Sequence, residues 1–283
     1  MEEAYVQHIT NEHYWMDVFI DPYNKRLRIE DYRGDVKRII EKAIDMSNQH
    51  KAEKLIFICR REDIIYLIER ALQLEAMVDR YYRGSDAYYF TKYFTSNRKK
   101  TEAWLLEDGI IENVSQLAKN HVKQHIPAGY ELRKMLEDDA EQLAKLYQEV
   151  FQVYPTPLHD SEYIKKTIEK GTIYYGFVCD GKIVSAASVE VNTRYDNAEL
   201  TDCATVSSHR KFGLMKYLLE KLEEELKKHG IFCAYSIARA QSFGMNAVLH
   251  QLGYAYRGRL MNNCFIFSQL EDMNMWVKDL SQE

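Results

Sequence analysis

The run Ser207-Ser208-His209-Arg210-Lys211-Phe212-Gly213-Leu214-Met215-Lys216 decides how the chain is read. Before it, Ala198 to Val206 alternates and is β-branched, which predicts a strand. After it, Leu214, Tyr217, Leu218, Leu219, Leu222 and Leu226 recur at helical spacing among Glu and Lys, which predicts a long amphipathic helix from about Gly213. The run is therefore a strand-to-helix turn. The first backbone N–H groups of a helix have no partner within it and lie at the positive end of its dipole, so such a turn is a seat for a phosphate or pyrophosphate. Gly213 removes a side chain where a ligand would approach the backbone.

Arg210 stands three residues before that glycine. The pattern Arg-x-x-Gly-x-(Gly/Ala) after a strand resembles motif A of the GNAT acyl-CoA-dependent N-acetyltransferases, with Met215 departing from it at the last position. The order of elements extends the resemblance. Tyr130 to Arg133 reads as a strand, and helices follow from Asp138 to Phe151 and from Ser161 to Glu169. A hairpin joins Ile173 to Val178 with Ile183 to Val191 across an Asp180-Gly181 turn. Then come the strand, the turn and the long helix, a strand from Ile231 to Ala238, a helix from Ser242 to Gln251, and a closing strand from Leu260 to Phe267. Leu252-Gly253-Tyr254 resembles the family's Leu-Gly-Phe/Tyr signature. This succession implies an α/β (α+β) fold, with residues 128–283 forming a GNAT domain whose central sheet is mixed, mostly antiparallel and flanked by helices.

Residues 1–127 read as a smaller N-terminal α/β domain. Strands at Tyr14 to Ile20, Arg26 to Tyr32, Leu55 to Cys59 and Ala87 to Phe94 alternate with helices from Val36 and from about Glu62 to Leu74. No glycine-rich loop or compact catalytic constellation appears there. Tyr81, Tyr82, Tyr88, Tyr89 and Tyr93 read as sheet packing. The unit is expected to be a truncated GNAT-like element that packs against the catalytic domain or builds a homodimer.

Composition narrows the function classes. A 46% hydrophobic chain of 283 residues can bury a sizeable core, and a net charge of −5 argues against a nucleic-acid binder. The five cysteines have no C-x-x-C spacing, which suits reduced thiols, and no apolar run reaches membrane-spanning length. A cytoplasmic protein without a metal is expected.

The segment Ala198 to Thr205, the Tyr154-Pro155-x-Pro157 loop and Asn24-Lys25-Arg26 together resemble the bacterial and archaeal β-lysine N-acetyltransferases, which acetylate the terminal amine of β-lysine with acetyl-CoA to give a compatible solute. Two alternatives stand beside it: a GNAT enzyme for another small amine (polyamine or lysine) or a protein terminus, and a module that binds acyl-CoA without turnover.

An alkyl ammonium with a pKa near ~10.4 needs about 4 to 5 kcal/mol to supply its neutral form at pH 7, so a carboxylate base is expected. The resemblance places that base at Glu199. Asp202, turned to the other face by strand alternation, is the second candidate, as an ammonium holder or a structural acid. Glu190 is the reserve. For acetyl-CoA the resemblance implies the backbone of Lys211, Phe212, Gly213, Leu214, Met215 and Lys216 at the pyrophosphate, with charge from Arg210. Ala204, Thr205 and Val206 would lie along the pantetheine, and Ser242 and Asn246 nearby. The family's Tyr general acid is replaced by Leu249. Tyr154, Pro155 and Pro157 would overhang the acceptor, and Arg194 or Arg239 would hold its carboxylate.

Overall fold

The structure, a computed structural model, describes residues 4–119, 126–151, 156–266 and 269–282. In the N-terminal half, β1 (Tyr5–Thr10), β2 (Tyr14–Asp21) and β3 (Arg26–Gly34) form an antiparallel meander. Alternation in β3 sends Leu27 and Ile29 into a core under α1 (Val36–Gln49), and leaves Arg26, Arg28 and Glu30 for the opposite face. Asp35 caps α1 by accepting from the Lys37 and Arg38 backbone N–H groups. β4 (Lys54–Cys59) is buried along its whole length, as its continuous apolar run predicts.

The helix expected over Glu62 to Leu74 is a correction. A 3-10 turn (Arg61–Asp63) and the short α2 (Ile64–Glu69) stop where Ala71 takes a left-handed backbone, φ 59°. The chain then enters β5 (Gln73–Tyr82), which hairpins with β6 (Ser85–Tyr93), and that pairing overrides the helical pattern.

Two helices, α3 (Ser96–Lys99) and α4 (Trp104–Ser115), follow. Val114 of α4 lies in the core of the C-terminal half, and His250 Nε2 donates to the Leu117 carbonyl at 3.0 Å. The segment from α4 to Leu117 thus packs on the C-terminal half.

The C-terminal half runs β7 (Glu131–Met135), α5 (Ala140–Val150), α6 (Ser161–Glu169), β8 (Ile173–Cys179), β9 (Lys182–Asn192), β10 (Asn197–Thr205), α7 (Leu214–Lys228), β11 (Cys233–Arg239), α8 (Phe243–Gln251), β12 (Ala255–Ile266) and β13 (Gln269–Asp279). The closing strand is thus a hairpin. The polar residues that disguise β13 in the sequence are buried with partners: Asn274 donates to Asn246 Oδ1 at 3.0 Å, and Lys278 Nζ to Glu223 at 2.7 Å.

All strands join one 13-stranded sheet in the order β1-β2-β3-β4-β6-β5-β12-β13-β11-β10-β9-β8-β7. Only β3–β4 and β10–β11 are parallel among these pairs. The seam between the halves lies at β5 and β12, where Gly258 pairs with Ala76. Gly258 has φ 120°, and a Cβ there would sit 2.2 Å from the Glu75 carbonyl oxygen. Only glycine allows that approach. The halves also share a core in which Ile56, Val78, Tyr81 and Tyr89 meet Tyr235, Leu260 and Met275. Polar ties cross beside it: Lys54 Nζ donates to the Met261 carbonyl at 2.6 Å, Arg98 to the Asn263 carbonyl at 3.2 Å, and Asn197 to the Tyr81 carbonyl at 2.9 Å.

Gly258→Ala should destabilise the protein by about 2–5 kcal/mol, since both the backbone conformation and the space oppose a methyl group. Urea unfolding measures this, and an unchanged midpoint would mean that the strands do not meet so closely.

Candidate active site

The strand-to-helix turn has the geometry that its sequence predicts. β10 leads into a 3-10 turn (Ser207–Phe212), Gly213 adopts φ 65°, and α7 starts at Leu214. Leu214 is buried and Met215 packs against the same core, so their side chains point inward. A methyl group on Gly213 would meet nothing within 4 Å, so the space before the backbone is open. Arg210 and Lys211 are exposed beside it. Arg210 Nε also donates to the Thr205 carbonyl at 3.1 Å, which ties the turn to the strand end. His209 Nδ1 and the Tyr130 hydroxyl meet at 2.6 Å and fasten its other side.

β10 and β11 form a fork. They pair only through Asn197–Cys233, Ala198–Ala234 and Glu199–Tyr235, although β10 continues to Thr205 and β11 to Arg239. On its other edge β10 stays paired with β9, and Val206 N–H donates to the Val184 carbonyl at 2.9 Å. Antiparallel alternation therefore turns the backbone groups of Thr205 toward the fork. Ala204 is held on the β9 side, its carbonyl accepting from Ser185 Oγ at 3.1 Å. An extended, amide-bearing arm entering the fork meets a strand edge, with the anion seat at its mouth.

Glu199 stands at the vertex. Its cross-strand neighbours are Glu190 on β9 and Tyr235 on β11. That face of the sheet looks toward the N-terminal half, whose Arg28, Glu30, Tyr81 and Tyr89 enter the same electrostatic cluster. Glu199 is deep but partly accessible, and Glu190 is reached by solvent. Burial is the largest cause that pushes the Glu199 carboxyl up to about 8. Repulsion from Glu190 adds to it, Arg28 opposes it, and Asp202 and Glu30 contribute less. Burial also raises Glu190, again against Arg28. The tyrosines Tyr163 on α6 and Tyr174 on β8 feel Asp202 and Glu190, so α6 borders the cleft opposite the N-terminal sheet.

Asp202 is a correction. A bulge between Thr201 and Ala204 gives β10 one extra residue, Asp202 takes φ 52°, and the simple alternation fails. Its carboxylate accepts from Ser188 Oγ at 2.7 Å, so it lies on the same face as Glu190 and Glu199. It is buried there as a hydrogen-bonded acid.

Both arginines expected at the acceptor carboxylate are already paired. Arg194 meets Asp31 at 2.8 Å and stacks on Trp15. Arg239 makes a bidentate pair with Glu271 at 2.6 and 2.7 Å. Asn246 is a structural hub: it donates to the Arg239 and Ser242 carbonyls and accepts from Asn274 and Trp276. That set saturates its amide and leaves nothing for a ligand. Ser242 precedes α8 and makes no side-chain cap. Leu249 is fully buried. Tyr154 and Pro155 lie outside the described residues, and Pro157 is exposed.

Residues 131–257 match the family profile described as an acetyltransferase (GNAT) domain. The chain is 38% identical over 260 residues to N-acetyltransferase YodP of Bacillus subtilis, covering 92% of this chain and 94% of that protein. The chain belongs to the GNAT acetyltransferase family. Two further relatives carry the name beta-lysine N(6)-acetyltransferase. The protein of Methanosarcina mazei is 38% identical over 226 residues, covering 73% of this chain and 83% of its own, and that of Methanococcus maripaludis is 33% identical over 260 residues, covering 92% and 94%. As a GNAT N-acetyltransferase, the chain has its strand-to-helix turn and fork within the matched region, whereas Arg28, Glu30, Tyr81 and Tyr89 lie outside it.

Arg28 and Glu30 escaped the sequence reading, which took Tyr81 and Tyr89 as sheet packing. The signal was present in Leu27-Arg28-Ile29-Glu30, whose alternation puts both charges on one face. A sequence cannot show that this face looks onto the other half of the same sheet.

The Glu199 carboxyl is higher in the folded state than its ordinary 4.5, so its contribution to stability is intact below 4.5 and is lost as pH rises through about 8. Glu199→Gln removes that cost. Its melting temperature should exceed the parent's by about 2–6 °C at pH 9 and match it near pH 4. An equal difference at both pH values, read by calorimetry, would show that Glu199 is not held in this environment.

Proposed function

We propose that the protein transfers acetyl from acetyl-CoA to the terminal primary amine of β-lysine, with Glu199 as the base that takes the ammonium proton. The observation that carries the reading is Glu199 at the vertex of the fork, beside Glu190 and across from Arg28. The names of two relatives support the acceptor, and the open backbone at Gly213 supports the anion seat.

The residues present suit acetyl-CoA. The N-terminal amides of the 15-residue α7, with Arg210, Lys211 and Lys216, would hold the pyrophosphate, and the Thr205 edge of the fork would hold the pantetheine amides. Acetyl-CoA supplies the acetyl thioester, and its thiol, with a pKa of about 8.5, departs with little need of a proton donor. That agrees with a buried leucine at position 249.

The chain's own work is on the amine. In their ionised forms Glu190 and Glu199 attract the ammonium. Moving a proton from an ammonium near ~10.4 to an ordinary carboxylate costs about 8 kcal/mol, and to one raised to about 8 it costs about 3 kcal/mol. The elevation of Glu199 thus removes more than half of that barrier. The neutral nitrogen then faces the fork where the thioester would lie, and attacks it directly.

Thiol release from acetyl-CoA, measured over β-lysine, L-lysine, polyamines and an N-terminal peptide, tests the acceptor. β-Lysine should give the highest kcat/KM, and a higher value for another amine would replace it. Activity should fall as pH drops below about 8, because the base must be ionised. Glu199→Gln should lower kcat by about 10²–10³-fold near pH 7.5, with the deficit narrowing at higher pH. Parent-like rates at every pH would remove Glu199 from this role. Gly213→Asp should abolish the thermal stabilisation given by acetyl-CoA while the apo melting temperature changes little, and retained stabilisation would relocate the anion seat.

A further inference from the structure

We infer that Arg28 and Glu30, on the N-terminal half, bind the amino-acid end of the acceptor, so that this half is the specificity element of the enzyme. The inference rests on the acceptor reading above. A β-amino acid with a distal amine has three charged groups. The distal ammonium belongs at Glu199 and Glu190, next to the fork. The carboxylate then needs a cation and the 3-ammonium an anion, one methylene apart.

Arg28 and Glu30 meet that requirement. They are i and i+2 on β3, on one face, with Arg28 Nε donating to Glu30 Oε1 at 2.5 Å. Their side chains keep 27% and 28% exposure, although they stand between the two halves of the sheet. The guanidinium is stacked on Phe19, 5.0 Å from the ring centre, which fixes its plane. Nε is the nitrogen that Glu30 engages. Among the described residues its two terminal nitrogens make no hydrogen bond to protein, which leaves the bidentate edge for a carboxylate.

Arg28 also acts on Glu199, Glu190, Tyr81, Tyr89 and Tyr235, which places it in the cleft rather than on an outer surface. Those three tyrosines are buried and give an aromatic wall suited to methylenes. By contrast Arg194 and Arg239 are bound to carboxylates of the protein. The complementary geometry selects an acceptor with a carboxylate and a neighbouring amine, and disfavours a polyamine.

The test pairs variants with trimmed acceptors. 1,4-Diaminopentane has the β-lysine skeleton without the carboxylate, and 6-aminohexanoate has it without the 3-amine. Arg28→Gln and Glu30→Gln, confirmed folded by circular dichroism, are assayed near pH ~9.5 so that loss of Arg28 acts little through the ionisation of Glu199. Arg28→Gln should lower kcat/KM about 100-fold for β-lysine and 6-aminohexanoate, mainly through KM, and less than threefold for 1,4-diaminopentane. Glu30→Gln should lower it for β-lysine and 1,4-diaminopentane and spare 6-aminohexanoate. Equal losses on all three acceptors, with β-lysine still the parent's best substrate, would overturn this inference alone and make the pair structural. A parent enzyme that does not acetylate β-lysine would overturn the acceptor reading, and this inference with it.

Discussion

The close approach of β5 and β12 at Gly258 is the constraint on which the remaining architecture depends. One missing side chain lets two half-sheets run on as a single surface, and the shared core then fixes how the faces meet. Because of that junction, β3 of the first half stands across from β9 and β10 of the second. The cleft is a product of the seam. Neither half carries a complete set of charges without the other.

Several buried ions of the interior are paired: Lys54 with Glu75, Arg26 with Asp21, Lys278 with Glu223. Such pairs offset the loss of hydration. Around Glu199 burial raises the carboxyl most, and Glu190, Asp202 and Glu30, which outnumber Arg28, raise it further. The protein retains there an electrostatic cost, of the kind that marks functional sites.

Local patterns were legible wherever one residue determined the outcome. Gly213 with its flanking strand and helix marked the strand-to-helix turn, and Asp180-Gly181 marked the hairpin. The rest depended on tertiary partners. β13 looked polar because Asn274 and Lys278 are satisfied by α8 and α7, which are remote in sequence. Arg194 and Arg239 looked available because Asp31 and Glu271, their carboxylates, are distant in the chain. Arg28 drew no attention because the strands across from it, β9 and β10, lie more than a hundred residues downstream.

The bulge at Asp202 sets a rule about length in β10. Upstream of it, odd-numbered residues such as Glu199 face the cleft, and downstream even-numbered ones such as Ala204 do. The extra residue changes the strand's parity between the segment that carries Glu199 and the segment that enters the turn. Loss of one residue between Thr201 and Ala204 would put the two segments back in step and carry the turn, with its seat, half a pleat away from Glu199. Point substitutions in β10 alter a side chain, but an insertion or deletion there would rephase the enzyme. The strand is therefore freer to drift in composition than in length.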